Sequence, residues 1–360
     1  MISSHHSSYF SYISDGPLGA PLIEFVRATG VPDAAKNLRE RDYVEMVRVA
    51  IAGFPSPESL VPNAAAVSTT VSLAELEAQT HHAWALVHAS SYQELGHVLA
   101  ALIPVAEAAS RSTSDIDSTR TLTCLADVYQ VAAAMLVKVD DHGAAWVAAD
   151  RAITAGERCG DRCLILAGQL RMARTMLDAN DQKLAVHVLK RAMVMAKDVK
   201  TSHDPGLISL VGACALLTGV LLARDHDTAS AQKSLKTAEK LARQLGEDRN
   251  EYGTEFGPTN VAMHAVAISV ELGNGQEALD RAARTLSPER QARFLIDVAR
   301  ANLLVKSPER AIDTLLHIEE IAPEELGNLG LVMMFIEEVE DQLGRRRSPA
   351  LRKLKPRLYG

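Results

Sequence analysis

The chain has 360 residues, of which 38 are basic and 45 acidic. Its formal net charge of -7 means that the chain as a whole lacks the positive surface typical of nucleic-acid-binding proteins. Hydrophobic residues make up 47% of the sequence and aromatic residues only 4%, a balance that favours closely packed helices over a β-sandwich.

The N-terminus has no basic segment followed by an apolar one, and no uninterrupted run of 18 apolar residues is evident. We therefore predict neither a secretory signal nor a membrane span, and expect a cytoplasmic protein. The four cysteines are scattered through helical patterns, and we interpret them as reduced thiols.

Residues 1–70 differ in composition from the rest of the chain. Ser, Pro, Gly and His interrupt short apolar pieces there, and only Leu38 to Ala52 has the pattern of a modest amphipathic helix. We predict a partly ordered N-terminal leader over 1–70.

From Ser72 onward, long helical patterns alternate with short polar breaks, and no convincing strand interrupts them. The breaks are Ser90-Ser91, Asp140 to Gly143, Asp178 to Gln182, Arg224 to Thr228, and Gly273 to Gly275. Paired breaks of this kind predict repeated helix hairpins.

A spacing pattern recurs in the second helix of each predicted pair. A small residue is followed four positions later by an apolar residue and three positions after that by a small or apolar one, as close helix crossing requires. The six sets are Ala101/Val105/Ala108, Ala148/Ala152/Ala155, Ala185/Leu189/Ala192, Ala231/Leu235/Ala238, Ala278/Ala282/Thr285 and Ala311/Leu315/Ile318.

A small residue is also expected in the first helix, twelve positions earlier. Ala89, Ala173, Gly219 and Ala299 fit, whereas Leu136 and Val266 do not. We predict an all-α fold in which degenerate tetratricopeptide-like repeats form a right-handed α-α superhelix over residues 71–345. The alternative is an unrelated helical bundle, because periodicity alone does not fix topology.

The C-terminal segment 346–360 forms a basic tail. With Arg345 just before it, its basic residues are Arg346, Arg347, Arg352, Lys353, Lys355 and Arg357. Such a patch suits nucleic acid or an acidic partner. We favour a solvated terminal segment whose charge complements the end of the preceding helix.

Several stretches resemble the C-terminal tetratricopeptide region of actinobacterial helix-turn-helix regulators of the phage-repressor class. They are Glu255 to Val261 with the following AMHAVAISVELGNGQEAL, then LSPERQARFLIDVARANLL, and the earlier THHAWALVHASSYQELGHVLAALIPVAEAA and LADVYQVAAAMLVKVDDHGAAWVAADRAI. The resemblance covers roughly residues 72 to 345 and implies ligand recognition and self-association. Residues 1–70 depart from the family because they contain no recognisable DNA-binding helix-turn-helix.

The first helix of each unit should line the inner surface of such a superhelix, and polar residues there are candidates for ligand binding. These candidates are Tyr129, Gln169, Arg171, Asn260, His264, Arg293, Asp297 and Arg300. For Arg293, Asp297 and Arg300 we favour the alternative of a salt bridge within the chain. Gly253 to Thr259 could receive an anion, but we favour a shaped loop that begins a helix.

Histidines 81, 82, 88 and 97 show no recognised metal-ligand spacing, so we predict no metal site and place them on the surface or between helices. Trp84 and Trp146 are interpreted as packing residues between units. No nucleotide loop, metalloprotease motif or nucleophile elbow is present, so we predict no catalytic residue, no cofactor and no enzyme.

The sequence supports a scaffold with a regulatory, transcription-linked sensing role. It would hold a peptide, a small molecule or a partner protein in its concave groove and form a homodimer, with no membrane contact and with direct nucleic-acid binding unlikely. The alternative is a constitutive protein-protein interaction adaptor without a small ligand.

Overall fold

The computed structural model describes residues 42–53, 71–112, 115–196, 202–281, 288–327, 329–343 and 351. This part of the chain is all-α, as predicted, with fourteen α-helices, two short 3-10 segments and no strand. The first seven helices are α1 (Asp42–Ala52), α2 (Leu73–His88), α3 (Tyr92–Ser112), α4 (Asp115–Lys138), α5 (His142–Cys159), α6 (Arg162–Asp178) and α7 (Gln182–Met195). The others are α8 (Pro205–Arg224), α9 (Thr228–Leu245), α10 (Pro258–Glu271), α11 (Gly275–Arg281), α12 (Pro288–Leu304), α13 (Pro308–Ile321) and α14 (Leu329–Leu343).

One turn geometry joins the helices from α2 to α13 into six consecutive pairs. In every pair the N–H of the residue just before or at the start of the second helix donates to a carbonyl five positions back, at 2.8–3.0 Å. The residue before that donor has a positive φ in all six turns. The residues with positive φ are Ser90, Asp140, Asn180, His226, Gly273 and Lys306. This bond pattern ends a helix in the left-handed conformation and lets the next helix begin at once.

Aspartates start most of the central helices. Asp141, Asp161, Asp181, Asp204 and Asp227 each accept a hydrogen bond from a backbone N–H in the first turn of the helix that follows. Each such cap satisfies a donor that the helix itself leaves unpaired and stabilises the helix by about 1 kcal/mol. The polar breaks in the sequence are therefore helix caps as well as turns.

The predicted small-residue sets pack where expected in α5, α7, α9 and α13. All twelve of these positions are at most 3% exposed. Alanine at a crossing point lets two helix backbones approach closely. Ala278 of α11 is also fully buried, whereas Ala282 and Thr285 lie outside the described residues.

The set predicted for α3 is wrong. Ala101 and Ala108 are exposed and Val105 is only half-buried. The same spacing is instead met two residues earlier by Leu99, Ile103 and Ala106, all fully buried. Ala89 is likewise exposed in the turn after α2. The error arose because α3 buries large side chains at its crossing, so a search for alanine selected the wrong face.

The described part of the predicted leader is α1, which packs against α3 and touches α5. Its apolar face, formed by Tyr43, Val44, Val47 and Ile51, belongs to the same core as α2 to α5. Tyr43 fits against Gly96 of α3, where a Cβ atom would lie 2.4 Å from the tyrosine ring. The remainder of the leader, and all of the basic tail except Leu351, lie outside the described residues.

The last 3-10 segment, Pro323–Gly327, lies against the turn between α2 and α3 and the start of α3. We call this segment the clasp. Glu324 accepts hydrogen bonds from the backbone N–H groups of Tyr92 and Gln93 at 2.8 and 3.1 Å. Glu325 accepts from the Ser90 and Tyr92 hydroxyls. A carboxylate at the start of α3 complements the helix dipole and the unpaired amides there. The clasp thus joins parts of the chain that are more than 230 residues apart in sequence.

Two helical stretches, Asp117–Lys138 and Pro205–Arg224, are long and apolar enough to cross a membrane by length and composition. The second is the most apolar of the described helices and carries no charge between Gly206 and Ala223. In each stretch 83% of the apolar window is buried against other helices. This burial accounts for their apolar composition as core helices.

Candidate functional site

The first helix of each of the six pairs contributes to the wall of one cavity of about 140 Å³, here called the inner cavity. A single water needs about 10–15 Å³ of such space, so the inner cavity has room for a small ligand or a group of waters. Apolar side chains such as Leu170, Leu216 and Met263 line part of it, and the loop from Tyr252 to Glu255 covers another part.

The charged part of the wall is unusually basic for a chain with a net charge of -7. Five basic and three acidic side chains line the inner cavity. The basic residues are Lys138, Arg171, Arg174, Arg290 and Arg293, and the acidic ones are Asp178, Glu255 and Glu289. The wall therefore carries an excess of positive charge.

Two of the basic residues are held in ion pairs. Lys138 contacts Glu289 at 3.1 Å and Glu325 of the clasp at 2.9 Å. Arg290 pairs with Glu255 and donates to the Thr254 carbonyl at 2.6 Å. Buried charges are normally found in such pairs, because an isolated charge loses its hydration without compensation.

The other three, which we call the arginine cluster, are Arg171, Arg174 and Arg293. None of their guanidinium groups forms an ion pair or hydrogen bond with any part of the chain that the structure describes. The Arg171 guanidinium lies 5.6 Å from the centroid of the Trp84 ring. Three unpaired guanidinium groups in one cavity are an arrangement that the fold alone does not require.

Electrostatics within the arginine cluster are unfavourable for Arg174. Burial, and then repulsion by Arg293 and Arg171, lowers the pKa of Arg174 to about 9, although Asp178 opposes the shift. Burial also lowers the pKa of Arg171. For Arg293 burial acts the same way, but the fields of Asp178 and Asp297 outweigh it and the pKa is raised. An anion entering the cavity would relieve the cost at Arg174.

Several polar atoms of residues that line the cavity have no hydrogen-bond partner among the described residues. They are buried, and each would normally be satisfied by a protein group or an ordered water. These atoms are His88 Nδ1, Gln130 Nε2, Arg171 Nε, Asp178 Oδ2 and Asn260 Oδ1. The residues around the inner cavity thus have hydrogen-bonding capacity that the described chain does not use.

Asn260 and His264 belong to the first half of α10 and face the same cavity. The Asn260 amide donates to the carbonyls of Thr254 and Glu255 at 3.1 and 3.2 Å, so it holds the covering loop in place. His264 Nδ1 lies 3.1 Å from the Asn260 carbonyl, which can only accept, so this nitrogen carries the proton. Burial, and then Arg174, lowers the pKa of His264 to about 3. His264 is therefore neutral at pH 7.

The covering loop is shaped rather than anion-binding, as we favoured. Asp248 accepts from the backbone N–H and the hydroxyl of Thr259, so the start of α10 is already occupied by a carboxylate. Tyr252 and Gly253 both have positive φ, and a Cβ on Gly253 would lie 2.7 Å from the Trp84 ring. The glycine lets the loop approach α2 closely.

His88, Glu255 and Glu289 place their ligand atoms within 4.8 Å of one another. Such a set suggests a cation site, but both carboxylates are already neutralised, by Arg290 and Lys138 respectively. A metal ion would also lie beside the arginine cluster, where positive charge is already in excess. We therefore assign the Glu255 and Glu289 carboxylates to ion pairing rather than to metal binding.

The predicted site residues fall into two groups. Arg171, Asn260, His264 and Arg293 meet at the inner cavity. Tyr129 is instead buried beside Glu107 and Arg151, and Gln169 is half-buried away from the cavity wall. Asp297 and Arg300 form the salt bridge that we favoured, at 3.4 Å, although Arg293 does not join it.

The salt bridge continues into what we call the charge ladder, which comprises Asp297, Arg300, Glu271 and Arg224. Glu271 accepts from Arg300 at 2.9 Å and from Arg224 at 3.2 Å. Burial alone would raise the pKa of Glu271, but Arg300 and then Arg224 hold it below its ordinary value.

Sequence reasoning missed Lys138, Arg174, Glu289 and Arg290. A signal was available, because Arg171 and Arg174, like Arg290 and Arg293, are three positions apart and share a helix face. Trp84 lines the inner cavity in addition to packing between helices. The interpretation of Trp146 as a packing residue was wrong, since this side chain is 48% exposed.

Comparisons with known proteins assign the chain to no family. No family model, no curated protein and no solved structure matches it.

Proposed function

We propose that the chain is a ligand-binding scaffold with a regulatory, transcription-linked role, in which the ligand occupies the inner cavity. In this proposal degenerate tetratricopeptide-like repeats form a right-handed superhelix around the cavity. The six equal turns and the buried small-residue sets of α5, α7, α9 and α13 support that arrangement. The transcriptional link rests on the resemblance to actinobacterial regulators.

The observation that carries the proposal is the arginine cluster on the wall of the inner cavity. The Arg171 and Arg174 guanidiniums have no partner in the described chain and burial lowers the pKa of both, so they lower stability unless something else compensates their charge. Destabilised charges retained in a cavity are typical of functional sites. An enzyme is disfavoured, because the cavity offers cationic donors and a neutral histidine but no nucleophile paired with a base.

A regulatory role needs a connection between the ligand and a second part of the molecule. Lys138 supplies one, since it contacts Glu289 on the cavity wall and Glu325 in the clasp. A ligand that changes the position of Glu289 or Lys138 would alter how firmly the clasp holds α3. The free and bound states would then differ in the surface that the clasp presents.

Native mass spectrometry of the full chain, purified from its own host with and without a mild denaturing wash, tests this proposal. We expect a discrete mass of a small molecule that the wash releases. The Ala213→Phe variant fills the cavity and should lose that mass, whereas Ala101→Phe, at an exposed position of α3, should keep it.

The same measurement distinguishes the adaptor alternative. A bare chain, or a chain with a stoichiometric protein partner that Ala213→Phe does not release, would contradict the ligand proposal and support a constitutive adaptor. Retention of the small molecule by Ala213→Phe would place its site elsewhere and contradict the proposal as well.

A further inference from the structure

We propose that the inner cavity binds the phosphate group of a small phosphorylated ligand, and that Arg171, Arg174 and Arg293 hold that group. This inference rests on the proposed function and specifies the chemistry of its ligand. It depends on the number of unpaired donors, the charge of the wall and the size of the space.

The number of donors favours phosphate over carboxylate. Each guanidinium carries five N–H groups in a planar fork, and one arginine is enough to bind a carboxylate through both of its oxygens. Three guanidiniums from α6 and α12 line the same cavity without a partner among the described residues. A tetrahedral phosphate, with three free oxygens that each accept more than one hydrogen bond, can engage all three.

The positive charge of the cavity wall also favours a phosphate group. The lining residues carry two more positive than negative charges, and His264 adds none because burial and Arg174 keep it neutral. Glu325 lies behind the wall and shares Lys138 with Glu289, which reduces the excess without removing it. A phosphate monoester carries a charge of about -1.5 to -2 at pH 7, so it would offset the positive charge that remains on the wall.

The surroundings also provide a place for the rest of the ligand. The apolar side chains Leu170, Leu216 and Met263 line the cavity, and Trp84 presents its ring beside Arg171. The free Asn260 Oδ1 and Gln130 Nε2 offer one acceptor and one donor. A small organic group attached to the phosphate would find both apolar and polar contacts there.

Binding of inorganic phosphate to the full chain, followed by isothermal titration calorimetry and by 31P line broadening, tests the inference. We expect saturable binding with a dissociation constant of about 1 mM or tighter, since few atoms supply the affinity. Arg174→Met and Arg171→Met should each weaken it at least tenfold. Both variants remove an unpaired, half-buried cation and are expected to fold.

The matched control is Arg243→Met, which removes an exposed arginine from α9 and should leave phosphate binding unchanged. Sulfate should compete with phosphate, whereas succinate at equal ionic strength should not. Equal binding of phosphate by wild type and both arginine-cluster variants would reveal a nonspecific ionic effect and overturn the inference. Absence of phosphate binding up to about 10 mM, ten times the expected constant, or stronger binding of succinate would overturn it too.

These failures are distinguishable from failure of the proposed function. If native mass spectrometry finds a cavity-dependent small molecule that contains no phosphate, the ligand-binding scaffold stands and the phosphate inference fails. If no small molecule is found but inorganic phosphate binds through the arginine cluster, the site stands and the sensing role loses its support.

Discussion

The charge ladder and the arginine cluster are both built from half-buried charges on the first helices of the helix pairs, yet they differ in composition. In the charge ladder two arginines alternate with two carboxylates, and each charge touches one of opposite sign. In the arginine cluster three guanidiniums share the field of Asp178 without touching it. Every charge of the ladder thus has a partner within the chain, whereas the arginine-cluster guanidiniums have no ion-pair partner among the described residues.

The two regions should therefore respond oppositely to loss of a charge. Removing one member of a buried ion pair leaves an uncompensated charge, while removing an unpaired charge relieves its desolvation cost. Variants of the two regions test this contrast in one protein by one method.

Glu271→Ala should have the largest effect. The Glu271 side chain is 12% exposed and is the shared partner of Arg224 and Arg300, so its loss leaves Arg224 without its carboxylate and Arg300 with Asp297 alone. We expect the free energy of unfolding in urea to fall by about 3 kcal/mol. Glu157→Ala, at an exposed residue of α5, is the comparison. A loss from Glu271→Ala no larger than from Glu157→Ala would show that the ladder contributes little.

Arg174→Met should instead raise the free energy of unfolding. The substitution keeps an apolar side chain against the cavity wall and removes a cation whose pKa burial and Arg293 lower to about 9. We expect the ligand-free protein to gain roughly 1–2 kcal/mol of stability. A loss comparable to that of Glu271→Ala would mean that the arginine cluster is part of the structural framework, contrary to the proposed role.

The pH dependence of stability should report on His264. Its folded pKa is about 3, because of burial and then Arg174, against about 6.5 in the unfolded chain. Between these values the unfolded state binds more protons, so stability is lost as the pH falls below about 6.5.

Replacing His264 by Gln removes this titration. The stability advantage of wild type over His264→Gln should shrink by about 1 kcal/mol between pH 6.5 and 5.5 in urea denaturation. A pH-independent difference between wild type and His264→Gln would contradict the assignment of a neutral, buried imidazole.

The smallest effect is expected from Arg120→Ala. Arg120 of α4 contacts both oxygens of Glu77 in α2, at 2.7 and 2.8 Å, but its side chain is 61% exposed. Solvent screens such a pair, so the free energy of unfolding should change by less than about 1 kcal/mol. A larger loss would mean that exposed pairs between neighbouring first helices contribute substantially, which would weaken the contrast between the two regions.

The sequence predicted the fold better than the site. Helix pairs were predictable because caps such as Asp141 and Asp181 and the buried alanines act locally. The register of α3 was not predictable from alanine spacing, since Leu99 and Ile103 occupy the crossing there. A large residue can fill the same space when its partner helix adjusts.

The arginine cluster could be recognised only in part. Arg171 and Arg293 lie 122 positions apart in sequence, and nothing local indicates that the chain brings them together. Arg293 also had an evident partner four positions away in Asp297, which instead pairs with Arg300. Which of two neighbouring cations takes a carboxylate depends on tertiary packing, here on Glu271 reaching Arg300 from α10.

The clasp changes how the molecule should unfold. A linear array of repeats touches only nearest neighbours, so it can fray from either end or melt in parts. Here Glu324 and Glu325 connect the segment that follows α13 to the turn between α2 and α3, so the first and last helix pairs should unfold together. Loss of these contacts would let the two pairs unfold independently.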